Sequence, residues 1–265
     1  MSVFGTINDY LRSTKQMNKM KDFTNNNYHS GVRSSTANAS VTNVRSFLSN
    51  VFTYMTGALA VTGVIAYWFG QSESLMSYLI DFQTGGMTLF GYVVMFAPIV
   101  FVLIMSFSFN RLSSFSLLLL FIAYSALMGM SLSFIMLAYT ASSIASTFFI
   151  TAGTFGVMAI LGYTTKQDLT KFGSILMMAL IGIFIAIIIN MFLGNSTLDI
   201  IVSALGVLIF TGLTAYDVQK LKRIGSGVEY GSESTNKLAI MGALTLYLDF
   251  INLFLFLLRF FGDRR

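Results

Sequence analysis

LSSFSLLLLFIAYSALMGMSLSFIMLAYTASSIASTFFITAGTFGVMAILGYTT, residues 112–165, contains no charged side chain. A helix crossing the hydrocarbon core of a bilayer needs about 20 apolar residues. This stretch is more than twice that long, so it must cross, turn and cross back. The polar cluster Tyr139-Thr140-Ala141-Ser142-Ser143 is the expected turn. Helices rather than a barrel follow from the continuous apolar runs, because lipid-facing strands would alternate apolar and polar residues.

The rest of the chain reads the same way. Of 265 residues, 55% are hydrophobic and only 10% charged, and the mean hydropathy is +0.74. That composition defines an all-α polytopic membrane protein rather than a soluble domain. Hydropathy predicts seven spans: Phe47–Gly70, Gly86–Phe109, Phe115–Ala138, Ile144–Thr164, Gly173–Leu193, Leu198–Gln219 and Leu238–Phe261. Pro98, the only proline, falls inside the second and is expected to kink it. Small residues four apart, Ser125/Gly129/Ser133 and Ala152/Gly156, are expected to let helices approach closely. The sixteen methionines read as gap-filling residues between helices.

Residues 1–45 are rich in Asn, Ser, Thr and Lys, and read as a flexible polar tail before a transmembrane domain over residues 46–265. Met1–Tyr10 lacks a basic region followed by an apolar one, so no secretory signal is expected. Ile7–Phe23 has the character of a short basic amphipathic helix at a membrane surface.

The net charge of +5 belongs to loops and tail and is read as topology, not as nucleic-acid binding. The tail carries six basic and two acidic residues, whereas the first inter-span loop offers Glu73 and Asp81. The N-terminus is therefore expected in the cytosol. Arg111, the Lys166/Lys171 loop and the Lys220/Lys222/Arg223/Lys237 loop then fall on the same side. Arg259, Arg264 and Arg265 conflict with this pattern if the last segment crosses fully. Either the charge rule yields there or the last segments are partly re-entrant.

Two carboxylates lie inside the last two spans: Asp217 in GLTAYDVQKLK (residues 212–222) and Asp249 in ALTLYLDFINLFLFLLRFFG (residues 243–262). A charge in lipid costs several kcal/mol unless it is paired, hydrated or neutralised, so such residues point to function. Asn252 shares a helix face with Asp249. Asp249 lies on the order of 15 Å below the cytosolic end of its apolar run, while Asp217 is near the edge of its own. The pair meets only if the last helix is displaced along the membrane normal or water enters from the cytosol. Two like charges about 4 Å apart repel by roughly 4 kcal/mol at an effective dielectric of 20, so such a pair titrates as one unit. With one proton it forms a closed clasp between helices. With none it separates or recruits a cation, and carboxylates are hard ligands suited to Ca²⁺. In the plainer alternative, Asp217 pairs with Lys220 and Asp249 is a neutral group joining helices.

Other chemistries are narrowed by composition. There is no cysteine, and the only histidine, His29, lies in the tail, which removes thiol, zinc and histidine-dependent catalysis from the apolar region. Tyr216-Asp217 resembles the YD motif of presenilin-like aspartyl proteases. However, Leu246-Tyr247-Leu248-Asp249 stands where those enzymes have Gly-x-Gly-Asp, and Pro98 is followed by Ile99, not by an Ala-Leu pair. No phosphate-binding glycine motif supports ATP-driven transport.

The segments carrying Asp217 and Asp249, with Leu258-Arg259 after the second, resemble the Bax inhibitor-1 (transmembrane Bax-inhibitor-motif) family, bacterial branch, over about residues 47–262. The resemblance implies a seven-helix bundle around a central C-terminal helix, which would supply the displacement the aspartates need. It further implies a non-enzymatic, pH-sensitive passive Ca²⁺ leak in a bacterial inner membrane, with no required cofactor. A di-aspartyl sensor matches Asp217 and Asp249. Arg111 is the nearest match to a latching basic residue, although relatives can carry a run of arginines where this chain reads Asn110-Arg111-Leu112. Some bacterial members associate with a membrane-bound ATP-dependent protease, which makes the tail a candidate partner segment.

Overall fold

The computed structural model describes residues 42–229 and 231–264. Among them are seven helices long and apolar enough to cross a membrane. These are α1 (Thr42–Gln71), α3 (Leu89–Ser108), α4 (Ser114–Leu132) continued by the single turn α5 (Ile135–Ala138), α6 (Ala141–Thr164), α7 (Thr170–Leu193), α8 (Ser196–Gly227) and α9 (Glu233–Phe261). A short helix, α2 (Glu73–Met76), and a two-stranded antiparallel hairpin, β1 (Ile80–Asp81) and β2 (Gly86–Met87), fill the connection between α1 and α3.

Helix ends follow local chemistry. Thr88, Ser113, Thr140, Asn195 and Ser232 precede α3, α4, α6, α8 and α9, and each side chain accepts a hydrogen bond from a first-turn N–H. These caps satisfy donors that would otherwise be stranded at the membrane boundary. The Thr140 cap lies in the polar cluster that was expected to form the turn. At the other end of α7 the chain turns through Gly194, whose φ of 61° is left-handed backbone open to glycine.

The last helix is the axis of the bundle. In α9, 72% of the apolar stretch is buried, against 50% in α8 and 17–33% in the other five. Helices α4, α6 and α8 pack directly on it. The other helices turn large apolar side chains outward, among them Phe107, Phe149, Ile181, Phe192 and Leu208. An exposed apolar surface of that extent is a lipid-facing belt. This is an all-α, seven-span membrane protein with a central C-terminal helix.

Several boundaries differ from those the hydropathy suggests. The helix α1 already runs from Thr42, the first described residue, within the segment read as tail. The rest of that tail, including His29 and Ile7–Phe23, lies outside the described residues. Gly86 belongs to a strand rather than to the second span. The third span breaks after Leu132, where Ser133 Oγ donates to the Met130 carbonyl. The sixth helix continues eight residues beyond Gln219, through Lys220, Lys222 and Arg223, because helix formation does not stop where hydropathy does. Pro98 lies within an unbroken α3.

Small residues divide in the same way. A Cβ on Gly129 would fall 2.7 Å from the Thr62 carbonyl, so glycine there lets α1 and α4 touch. Gly156 has nothing within 4 Å, so Ala152/Gly156 is not a packing seam. The seam beside α8 is at Gly162, where a Cβ would collide with the Ala215 carbonyl.

The helix α9 crosses completely. Its start is held to the α3–α4 turn, where Glu233 accepts hydrogen bonds from the Ser114 N–H at 2.6 Å and the Ser114 hydroxyl at 2.9 Å. Its end is held at the opposite face, where Arg264 bridges to Tyr139 and the Thr140 N–H donates to the Asp263 carbonyl at 3.1 Å. No re-entrant segment is present among the described residues. The charge conflict is met locally: Asp199, in the first turn of α8, lies 3.4 Å from Arg259 and 3.8 Å from Arg264. Arg265 lies outside the described residues.

Candidate functional site

The two intramembrane aspartates come from adjacent antiparallel helices. Gly242 packs on Leu221, and Gly206 packs on the Phe256 ring, which sets the register of α8 against α9. By interpolation Asp217 lies level with Leu246, so the Asp249 backbone is only about 4.5 Å deeper, at 1.5 Å rise per residue. Side chains on a helix lean towards its N-terminus. In this antiparallel pair Asp217 leans inward and Asp249 leans back towards it. The large depth gap expected from sequence is therefore absent, because α8 extends well past Asp217 before it ends.

Both side chains are buried, Asp217 to 8% and Asp249 to 5% exposure. Their carboxyl groups are close enough to influence each other electrostatically. Two ionised carboxylates have no donor between them, so a hydrogen bond there requires a proton. The Oδ2 of Asp249 is buried without a hydrogen-bond partner among the described residues. An unsatisfied carboxylate oxygen in an apolar interior is costly and marks a place for a proton, a water or a cation.

The surroundings are mostly apolar. Val218, Leu246, Phe250 and Leu253 are buried on the same two helices. Lys220 is the nearest basic influence on both carboxyls but is not within ion-pair distance of either. The simple Asp217–Lys220 pair is thus not formed.

The other sequence candidates stand apart. Arg111 is exposed at the α3–α4 turn and makes no ion pair among the described residues. Its backbone N–H donates to the Ser108 carbonyl. Asn252 Nδ2 donates to the Leu248 carbonyl at 2.8 Å and is spent on its own helix.

Groups the sequence did not single out are prominent instead. Glu233 and Lys237, on the first turns of α9, hold the turn that carries Arg111, Lys237 by donating to the Phe109 carbonyl at 3.4 Å. No spacing signal links residues so far apart in the chain. A second buried polar cluster lies on the α1–α4 side of α9. Thr62 donates to the Ser125 carbonyl at 2.8 Å, so Tyr247 must donate to the Thr62 hydroxyl, 2.7 Å away. Tyr124 packs edge-on against Tyr247, and its hydroxyl is buried without a partner among the described residues.

Outside the membrane the carboxylates behave differently. Hydrogen bonds from Thr170, its hydroxyl first, hold Asp168 below the ordinary 3.8, with Arg223 adding a smaller pull. Asp81 is held down by the Gln83 N–H and the Thr84 hydroxyl.

Known proteins place this architecture. The family described as "Inhibitor of apoptosis-promoting Bax1" matches residues 44–265. The inner membrane protein YbhL of Escherichia coli K12 is 44% identical over 223 residues, covering 84% of this chain and 93% of that protein. A protein of Rickettsia prowazekii, RP147, is 45% identical over 222 residues, covering 84% of this chain and 91% of its own length. One from Caulobacter vibrioides is 40% identical over 254 residues, covering 93% of this chain and all of itself. The chain belongs to the Bax inhibitor-1 family.

Proposed function

We propose that this protein is a passive, proton-regulated Ca²⁺ leak of a bacterial cytoplasmic membrane, and not an enzyme. The observation that carries the reading is the meeting of Asp217 and Asp249, from different helices, inside an apolar bundle. With a proton between them, the carboxyls clasp α8 to the central helix. Without it, like charges in a poorly solvated site repel, and the pair either parts or takes a cation. Ca²⁺ takes 6–8 oxygen ligands, so two carboxylates hold it only transiently, with water and backbone carbonyls completing the shell. Weak holding suits passage rather than storage.

Arg111 is the latch in this reading. Reaching the pair would require movement of the α3–α4 turn away from Glu233 and Lys237. Asn252 is a supporting polar group one turn deeper on α9. The N-terminus is assigned to the cytosol, on the side of Lys166, Lys171, Lys220, Lys222 and Arg223. A membrane-bound ATP-dependent protease is a candidate partner for the tail, residues 1–45.

Ca²⁺ entry into proteoliposomes, measured across pH for the wild type, Asp217→Asn and a tail deletion, tests the proposal. The expected result is a pH-dependent flux that Asp217→Asn abolishes or flattens and the tail deletion leaves intact. Absence of flux in the wild type, with partner capture lost on deleting the tail, would instead mark a non-conducting interaction protein.

A further inference from the structure

At the end of the bundle richest in Lys and Arg, a basic chamber of about 500 Å³ lies between the end of α6, the α6–α7 loop and the extension of α8. Lys166, Lys222 and Arg223 line it, with Tyr163 and Asp168. A second cleft of about 370 Å³ runs between α1 and α6, lined by Arg45, Leu48, Phe52, Ala159 and Ile160. Tyr163 lines both, so the polar chamber and the apolar slot adjoin.

The chamber is built by a buried side chain. Gln219, 7% exposed, accepts from the Leu169 N–H at 2.8 Å and donates to the Gln167 carbonyl at 2.7 Å, which fixes the loop that forms its wall. Lys222 is held inward: its ammonium donates to the Tyr163 carbonyl at 2.6 Å and lies 5.0 Å from the centre of that ring. A lysine that merely marks topology extends to bulk water instead.

Charge is in excess. Arg223 is paired with Asp168 at 3.4 Å, while Arg45, Lys166 and Lys222 have no carboxylate partner among the described residues. Four cations against one carboxylate call for an anion. The apolar slot beneath, opening beside the exposed Ile160, calls for a hydrocarbon chain.

We infer that this is a binding site for an anionic phospholipid of the adjoining leaflet, with its phosphate among Arg45, Lys166 and Lys222 and one acyl chain between Phe52 and Ile160. Free phosphate would fill the chamber and leave the slot empty. A zwitterionic lipid would fill both but bring its own cation against the excess positive charge. Basic pockets at helix junctions near a membrane surface recognise anionic headgroups in this way. The bound lipid would tie the extension of α8 to α1 and α6.

The test is native mass spectrometry of the delipidated full-length protein, titrated separately with dioleoylphosphatidylglycerol, dioleoylphosphatidylcholine and inorganic phosphate. The wild type should bind phosphatidylglycerol preferentially. At roughly 1 kcal/mol per surface cation, each removed charge should weaken it about fivefold, so Lys166→Gln/Lys222→Gln should cost about 25-fold. Arg45→Gln, at an exposed position, should cost about fivefold and keeps the test valid if the double variant misfolds. Lys237→Gln removes as much charge as Arg45→Gln from the same end and should leave binding unchanged. Ile160→Trp, which fills the slot, should weaken lipid binding and spare any phosphate binding. Equal binding of the two lipids, or equal loss in the Arg45→Gln variant and the Lys237→Gln control, would overturn the site. Displacement by inorganic phosphate, with Ile160→Trp silent, would also overturn it, because the ligand would then be free phosphate.

Discussion

Single residues carry the polar interior of this bundle, and two of them differ in kind. Thr62 belongs to a satisfied network: its hydroxyl donates to Ser125 and receives Tyr247. Replacing it with valine keeps the shape and strands the Tyr247 hydroxyl. Thermal unfolding in detergent should show Thr62→Val destabilised by about 1 kcal/mol, the scale of polar contacts between membrane helices. Asp249 is the opposite case: its Oδ2 is buried without a hydrogen-bond partner among the described residues. The sequence made both aspartates visible, since a carboxylate in an apolar run stands out against lipid. It did not reveal the Thr62 network, because threonine and tyrosine are ordinary in a membrane helix and their meeting depends on packing. The extramembrane carboxylates limit what else can respond to pH. Asp168, held below its ordinary 3.8, contributes stability that is present above that value and lost as pH falls through its lower folded value. It does not change charge near neutrality. The sole histidine, His29, is the group to control for there.

Among the elements, α8 and α9 decide both the fold and the site. Hydropathy ended α8 at Gln219, where its last turns turn charged, and that single misplaced end made Asp217 look shallow. The helix continues to Gly227 because Lys, Leu and Arg are good helix formers whatever their solvation. The close seam at Gly162 was similarly hidden, because small residues in an apolar run do not say which face a partner covers. At the other end, Asp199 on α8 gathers Arg259 and Arg264 of the C-terminal segment. Asp199→Asn should leave the bundle folded and free that segment, seen as faster amide exchange at Asp263 and Arg264. The cost in stability should stay below about 1 kcal/mol, since these ion pairs are partly exposed and screened. Unchanged exchange would mean that the hydrogen bonds of Asp263, from the Thr140 N–H to its carbonyl and from its own N–H to the Ser143 hydroxyl, suffice alone.

As a whole, the described residues make seven spans around a central last helix, so Thr42 and Arg264 lie at opposite faces of the bundle. The number of spans was legible from the apolar runs. The central position of α9 came from the family resemblance and not from those runs, because burial among helices and burial in lipid select the same side chains. Reporter fusions should place residue 1 in the cytosol and the C-terminus outside, against the simple count of Arg259, Arg264 and Arg265. A cytosolic C-terminal reporter would contradict the crossing of α9. In the proposed function, one coupled aspartate pair senses protons and regulates Ca²⁺ passage through this bundle. Its most direct test is Ca²⁺ flux into proteoliposomes between about pH 6 and about pH 8, with Asp249→Asn beside the wild type. The wild-type flux should change severalfold across that range and the Asp249→Asn flux should stay flat; identical pH profiles in the two proteins would contradict the account.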